Sequence, residues 1–273
     1  MILEFDGVGK SYGAIRALNA LSFGVERGEI VALLGPNGAG KTTALEIALG
    51  LRSADSGSVR LFESSPRHVA TRRRLGVTPQ ESGFPDMLRV DEIAAYVAQH
   101  YPNAAPISET LETFGLTSLA GRRAGTLSQG QSRRLAVALA FAGRPELVVL
   151  DEPTTGLDVE SRRNLWDVVR SAGEHRSILF TTHYLEEAQA LASRIIVIDH
   201  GALRFDGDPQ ELRARMGTRR LSYVGADGPV VLNATDSDAY VRALVTSGVA
   251  FSDLEIAAPS LEEAFLSLTG GHA

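Results

Sequence analysis

Residues 2–34 alternate apolar and polar positions in short runs, the period-two pattern of half-buried strands, and close on the unbroken run Ile30-Val31-Ala32-Leu33-Leu34. An apolar run of that length without alternation reads as a strand covered on both faces, the habit of parallel sheets. Residues 42–50 predict a helix, and 57–62 and 75–79 predict further strands. The pattern then turns helical from Arg89 to Ala142, with segments at Val90–Gln99, Ile107–Phe114 and Leu135–Ala142, and with Pro85, Pro102 and Pro106 punctuating the stretch. A second buried run, Leu147-Val148-Val149-Leu150, opens a region of strand–helix alternation over 147–199 that includes a strand at Ser177–Thr181. Such alternation is what parallel β/α units require. The fold class predicted is α/β, a mainly parallel sheet core with an inserted helical subdomain at about 85–145.

After Arg215 the character changes again. Leu221–Val224 and Val230–Leu232 read as strands around the turn Ala226-Asp227-Gly228-Pro229. Asp236–Ser247 reads as a helix closed by Gly248, and Phe251–Ala257 as a strand. Ser260-Leu261-Glu262-Glu263 is a capping box opening a last helix through Leu268. The domain division expected is 1–215, followed by a small α+β appendix at 216–273 in which nothing looks catalytic. A stabilising role and a dimer-contact or regulatory role both fit it.

Composition narrows the class. A chain of 273 residues with 44% apolar and 22% charged residues is ordinary for a globular protein with a substantial core. The absence of Cys excludes disulfides and thiolate metal sites and suits a reducing compartment. No apolar run approaches the roughly 18 residues needed to cross a bilayer, and the start Met1-Ile2-Leu3-Glu4-Phe5-Asp6 carries no signal-peptide charge pattern. The formal net charge of −6 argues against general nucleic-acid binding. Arg72-Arg73-Arg74 and Arg219-Arg220 read as solvated faces, without interleaved aromatics.

The candidate chemistry starts where the first buried run ends. Gly35-Pro36-Asn37-Gly38-Ala39-Gly40-Lys41-Thr42-Thr43 follows the pattern G-x-x-x-x-G-K-[ST] between a strand and a helix. Glycines let the backbone curl so that successive N–H groups face phosphate oxygens. Lys41 can then reach the β- and γ-phosphates, Thr42 can offer its hydroxyl to Mg²⁺, and the helix adds its positive dipole end. Lysine at this position is informative because only two of the 27 basic Lys and Arg residues are Lys. The second buried run ends in Asp151-Glu152, at the carboxyl end of a strand where ligands of parallel sheets bind. Asp151 there would approach Mg²⁺, and Glu152 would face a water attacking the γ-phosphate. Between them, Leu127-Ser128-Gln129-Gly130-Gln131 places a hydroxyl and a backbone N–H at a helix start, again suited to phosphate.

This set of motifs resembles the nucleotide-binding subunit of ABC transporters over roughly residues 1–215. The run 127–131 is similar to the family's L-S-G-G-Q signature, with Gln129 in place of the first Gly. Ser128, Gly130 and Gln131, implied to meet nucleotide, are retained. The resemblance implies a P-loop fold with an antiparallel β subdomain beside the parallel core. It implies ATP and Mg²⁺ as cofactors and an ATPase activity. It also implies that Tyr12 stacks on adenine, that Gln80 senses Mg²⁺ and the attacking water and flexes with a membrane partner, and that Glu152 is the general base. His183, after Thr181-Thr182, would contact the γ-phosphate, and Asp158, in Pro153-Thr154-Thr155-Gly156-Leu157-Asp158, would contact an opposing subunit. Because the signature of one subunit closes over the phosphate loop of another, a head-to-tail homodimer enclosing two ATP molecules is implied. The implied setting is cytoplasmic, peripheral on the inner face of the cell membrane, beside separate membrane-spanning subunits. The ending Pro259 to Gly270 resembles the tail of bacterial antibiotic and multidrug exporter ATPases. Two other classes stay open on sequence alone. One is a soluble ABC-type ATPase working in assembly, repair or translation, and the other is a module that holds ATP without hydrolysing it.

Overall fold

The apolar runs at 30–34, 147–151, 177–181 and 194–199 lie side by side at the centre of a six-stranded sheet, buried on both faces. The computed structural model describes residues 1–79, 83–174 and 176–270. These fall into two units, Met1–Asp206 and Gly207–Ala273. The first unit begins with β1 (Leu3–Tyr12), β2 (Ile15–Val25), β3 (Ile30–Leu34), α1 (Lys41–Ala48), β4 (Ser56–Leu61), α2 (Val69–Arg72) and β5 (Leu75–Thr78). Three helices follow, α3 (Val90–Ala98), α4 (Ile107–Thr113) and α5 (Gln129–Phe141). Strand–helix alternation then resumes with β6 (Leu147–Asp151), α6 (Val159–Ala172), β7 (Ser177–Thr181), α7 (Leu185–Leu191), β8 (Arg194–Asp199) and β9 (Ala202–Gly207), the last residue of which opens the second unit.

The large sheet has the order β5-β6-β7-β3-β8-β9, and every pairing from β5 to β8 is parallel. A separate antiparallel sheet, β2-β1-β4, carries the alternating pattern seen in residues 2–34. Its apolar face, with Phe5 stacked on Phe23 at 4.4 Å between ring centres, shares one core with α1 and with Leu33, Leu179 and Ile196 of the parallel strands. The fold is therefore the α/β arrangement expected, a mostly parallel core with an antiparallel β layer and an inserted helical segment.

Register positions the site. Thr181, the last residue of β7, pairs with Leu33 of β3 on one side and with Asp151 of β6 on the other. The loop after β3, the acids after β6 and the residues after β7 thus emerge at one level on one edge of the sheet. α5 extends six residues before the apolar stretch Leu135–Ala142, to the helix start read at Ser128, which caps it: Gln131 N–H donates to Ser128 Oγ at 3.2 Å, and Ser128 N–H donates to Gln131 Oε1 at 3.1 Å. The helix lies close against β5. A Cβ on Gly76 would collide with the Ala140 carbonyl, and Thr78 Oγ1 donates to the Ala136 carbonyl at 3.1 Å.

The second unit holds α8 (Pro209–Ala214), β10 (Arg219–Gly225), β11 (Gly228–Ala234), α9 (Ser237–Thr246), β12 (Ser252–Ala257) and α10 (Leu261–Leu268). Its sheet is β11-β10-β12, antiparallel throughout. Ser260 and Glu263 form the reciprocal cap of α10, and Asp208 and Glu211 form another on α8. α8 packs against α10, so the division between units falls after Asp206, whereas the sequence pattern suggested a division after Arg215.

Glu146, just before β6, gathers two arginines. Arg74 donates to it through Nε and, at 2.9 Å, through Nη2, and Arg27 donates through Nη1 at 2.5 Å. The Arg74 hydrogen bonds, reinforced by Arg27, hold its carboxyl at about 2 against an ordinary value of 4.5. A carboxyl depressed on folding stabilises the chain above its unfolded value and loses that contribution as pH falls. Glu146→Gln is accordingly expected to lower stability at neutral pH by about 1 kcal/mol or less, the pair being partly exposed. The gap from the native chain should close as pH falls from 4.5 toward about 2. Urea titrations across that range check it, and a gap independent of pH would contradict the assignment.

Candidate active site

β3 ends at Leu34, and the chain turns at Asn37-Gly38 before α1 starts at Lys41. The turn closes through Ala39 N–H donating to the Pro36 carbonyl at 3.1 Å, and is fixed to the turn between β8 and β9 by Gly201 N–H donating to the Ala39 carbonyl at 2.9 Å. Gly40 caps the helix with φ 105°, a left-handed conformation, and a Cβ there would lie 2.5 Å from the Ala17 carbonyl oxygen. Only glycine meets both conditions. Lys41 folds back over the loop and its ammonium donates to the carbonyls of Gly35 at 2.7 Å and Pro36 at 3.1 Å. The residue is 8% exposed. Burial pulls its pKa down, and attraction from Glu152 and Asp151 works against that. Thr42 is exposed in the first turn, with Thr43 half-buried beside it.

Asp151 and Glu152 meet the same edge. Thr181 Oγ1 donates to Asp151 Oδ1 at 2.5 Å and accepts from Glu152 N–H at 3.0 Å. Burial raises the Asp151 pKa. The Thr181 hydrogen bond lowers it, repulsion from Glu152 raises it further, and Arg133 and Lys41 attract the carboxylate. Glu152 itself sits at φ 48°, an unusual backbone for a residue with a Cβ. Its carboxylate accepts from Thr155 Oγ1 at 2.9 Å, and His183 Nδ1 lies 3.4 Å from its Oε2. The His183 ring rests on Tyr184, with 4.0 Å between ring centres. Lys41, Asp151, Glu152 and His183 therefore converge at the ends of three neighbouring strands.

The remaining sequence candidates lie elsewhere. Ser128, Gly130, Gln131 and Asp158 border a groove of about 480 Å³, together with Arg134 and Ser161. Asp158 caps α6, accepting from Ser161 N–H at 2.8 Å and Ser161 Oγ at 2.9 Å, bonds that lower its pKa. Tyr12 closes β1, half-exposed, with the Arg52 guanidinium 5.2 Å and the Lys10 ammonium 5.7 Å from its ring centre. Gln80 lies outside the described residues.

Four residues of this region carried no assignment in the sequence. Thr181 and Thr155 hold the two acids. Arg133 is buried in α5 against the backbone of 151–153. Glu187, fully buried, accepts from Thr154 Oγ1 at 3.0 Å and Trp166 Nε1 at 3.1 Å, tying the loop after the acids to α7. Burial pushes its carboxyl up, opposed by hydrogen bonds from Thr182, Thr154 and Trp166. Thr181 and Arg133 stood beside recognised motifs, and that adjacency was the only signal.

A curled glycine loop on a buried parallel strand, a buried lysine over it and two acids at the end of the second strand over define a nucleoside triphosphatase. The chain belongs to the ABC transporter family, whose model matches residues 18–155. It is an ATP-binding ATPase subunit of that family. It is 36% identical to the Nod factor export ATP-binding protein I of Paraburkholderia xenovorans, across 98% of this chain and 97% of that protein. It is 39% identical to the doxorubicin resistance ATP-binding protein DrrA of Mycobacterium tuberculosis, across 89% of this chain and 75% of that one. Among solved structures, an ATP-binding subunit of an ABC transporter superposes with a TM-score of 0.72 at 25% identity, over 80% of this chain and 94% of that one.

Gly40→Ala is expected to weaken ATP binding roughly tenfold or more, since backbone strain of about 1–3 kcal/mol would fall on the loop that must hold its shape. Titration with a fluorescent ATP analogue measures it, and native affinity in the variant would contradict the geometry of the turn.

Proposed function

We propose that this chain is the motor of an exporter, hydrolysing ATP to drive a substrate through separate membrane-spanning subunits. The observation that carries the chemistry is the convergence of Lys41, Asp151, Glu152 and His183 at neighbouring strand ends. The names of the relatives above support the direction of transport. No helix among the described residues is long and apolar enough to cross a membrane, which fits a path supplied by another polypeptide. That arrangement would hold the chain on the cytoplasmic face of the membrane through its partner.

The amides of residues 35–43 and the Lys41 ammonium bind the β- and γ-phosphates, and Tyr12 stacks on the adenine. Thr42 and Asp151 are the oxygens that would hold Mg²⁺. A hydroxyl and one carboxylate suit an ion that takes most of its ligands from phosphate and water. When bound, Mg²⁺ neutralises charge developing on the transferring phosphoryl group. Glu152 accepts a proton from the attacking water, a role worth roughly 10²–10⁴ in rate. Thr155 and Thr181 fix its orientation, and His183 reaches the γ-phosphate beside it. Gln80 completes the set by contacting Mg²⁺ and the water, and responds to the membrane partner. Ser128, Gly130, Gln131 and Asp158, set apart along their own groove, are the surface offered to a second copy of the chain. One such set per chain favours a head-to-tail homodimer with two ATP molecules between the copies. The helical segment 85–145 would then transmit closure to the membrane subunits.

Glu152→Gln is expected to keep ATP binding, dimerise with ATP and lose turnover by at least about 100-fold. Phosphate release and size-exclusion chromatography with ATP read both, and native turnover in the variant would remove Glu152 from its role. Lys41→Ala is expected to lose ATP affinity in equilibrium titrations. For the exporter reading, Glu152→Gln trapped with ATP should co-purify with a multi-spanning membrane protein from detergent extracts of its host. Recovery of soluble proteins alone would contradict it.

A further inference from the structure

Arg133 sits five residues after Ser128, on the buried side of α5 among Leu135, Ala136 and Val137. Its guanidinium meets backbone carbonyls from two other segments. Nε donates to Pro153 at 3.0 Å, Nη2 donates to Asp151 at 2.5 Å and to Glu152 at 2.7 Å, and Nη1 donates to Pro79 at 2.8 Å. Three consecutive carbonyls can face one cation because the backbone turns into the left-handed region at Glu152, φ 48°. Glu152 is thereby held through both of its backbone polar groups, with its N–H on Thr181 and its carbonyl on Arg133. The fourth carbonyl, Pro79, immediately precedes Gln80. A planar fork with five N–H donors can serve all of these acceptors, whereas a lysine ammonium has three donors on one point charge. Arg133 is also buried, which strengthens these hydrogen bonds.

We propose that Arg133 is a positioning residue that sets the base, Glu152, of its own chain and ties it to the signature end of α5. This rests on the reading of Glu152 and of the composite dimer given above. Movement of Ser128 toward nucleotide in one composite site carries α5 with it. Through Arg133, that movement is passed to the turn that aims Glu152 in the other site. The N–H groups of Arg133 face backbone carbonyls. It acts on turnover through the backbone of 151–153.

The test separates action on the chain's own base from action through the signature. Full-length Arg133→Lys is expected to bind ATP within twofold of native affinity while kcat falls about 100-fold, the scale of an ångström-level misplacement of a catalytic group. Its thermal midpoint identifies a folding defect, and Arg133→Gln, which keeps two donors, replaces it in that case. Differently tagged copies are then combined. When Arg133→Lys is paired with Glu152→Gln, the only intact base lies in the chain lacking the arginine, and turnover is expected to be lost. When both substitutions are in one copy paired with a native copy, about half of native turnover is expected. The reverse pattern would overturn the proposal, because it would place the effect in the signature across the interface. Native kcat in Arg133→Lys, or equal loss of kcat and ATP affinity, would also overturn it. Glu152→Gln run alone keeps the two readings apart. If it hydrolyses ATP normally, the base is misassigned. If it stays monomeric with ATP, the dimer is, and the kcat-against-affinity split of Arg133→Lys still decides the arginine's role.

Discussion

The site depends on one threonine. Thr181 ends the strand between β3 and β6, and its hydroxyl bridges two acids, donating to Asp151 and accepting from the N–H of Glu152. Backbone pairing sets the level at which the strands stop, and the hydroxyl converts that level into a fixed relation between two carboxyl groups. Everything the loop of 35–43 can do to a phosphate presupposes this alignment. A slip of one residue in a parallel pairing would turn the terminal side chains to the other face of the sheet.

The charges gathered there are under tension. Lys41 is pushed toward its neutral form by burial and held back by Glu152 and Asp151, while burial pushes Asp151 toward its protonated form against the Thr181 hydrogen bond, Arg133 and Lys41. In the proposed site a magnesium triphosphate would bring anionic oxygens for the first and a cation for the second, so binding would relieve both. The same logic explains why Lys41 leans on the Gly35 and Pro36 carbonyls, which are weak acceptors beside a phosphate oxygen.

Much of this could be read from the chain. The glycine loop is legible because a close turn demands glycine at set spacings, and the buried strands because their middles are unbroken apolar runs. The cap at Ser260 and Glu263 is legible because it is a local chemical pattern. The first turns of α5 are legible only through the helix start at Ser128, since Gln129 to Arg134 has no apolar period. Arg133 and Glu187 are invisible for a deeper reason. Charged residues read as exposed, and their burial here follows from tertiary partners, carbonyls in one case and a threonine and an indole in the other. The contact of α8 with α10, which puts α8 in the second unit, leaves no trace in the pattern for a similar reason, as it lies between segments about fifty residues apart in the chain.

The left-handed backbone at Glu152 has a consequence for how such a chain drifts. Glycine at this position would relax the turn and stabilise the fold, and asparagine would be tolerated better than most residues. Either loses the carboxylate. With Glu152 as the proposed base, selection for robustness alone would therefore erode the ATPase at that residue, and only continued demand for turnover would keep glutamate in a conformation that disfavours it. A copy of this gene released from that demand would first become a more durable, silent nucleotide binder.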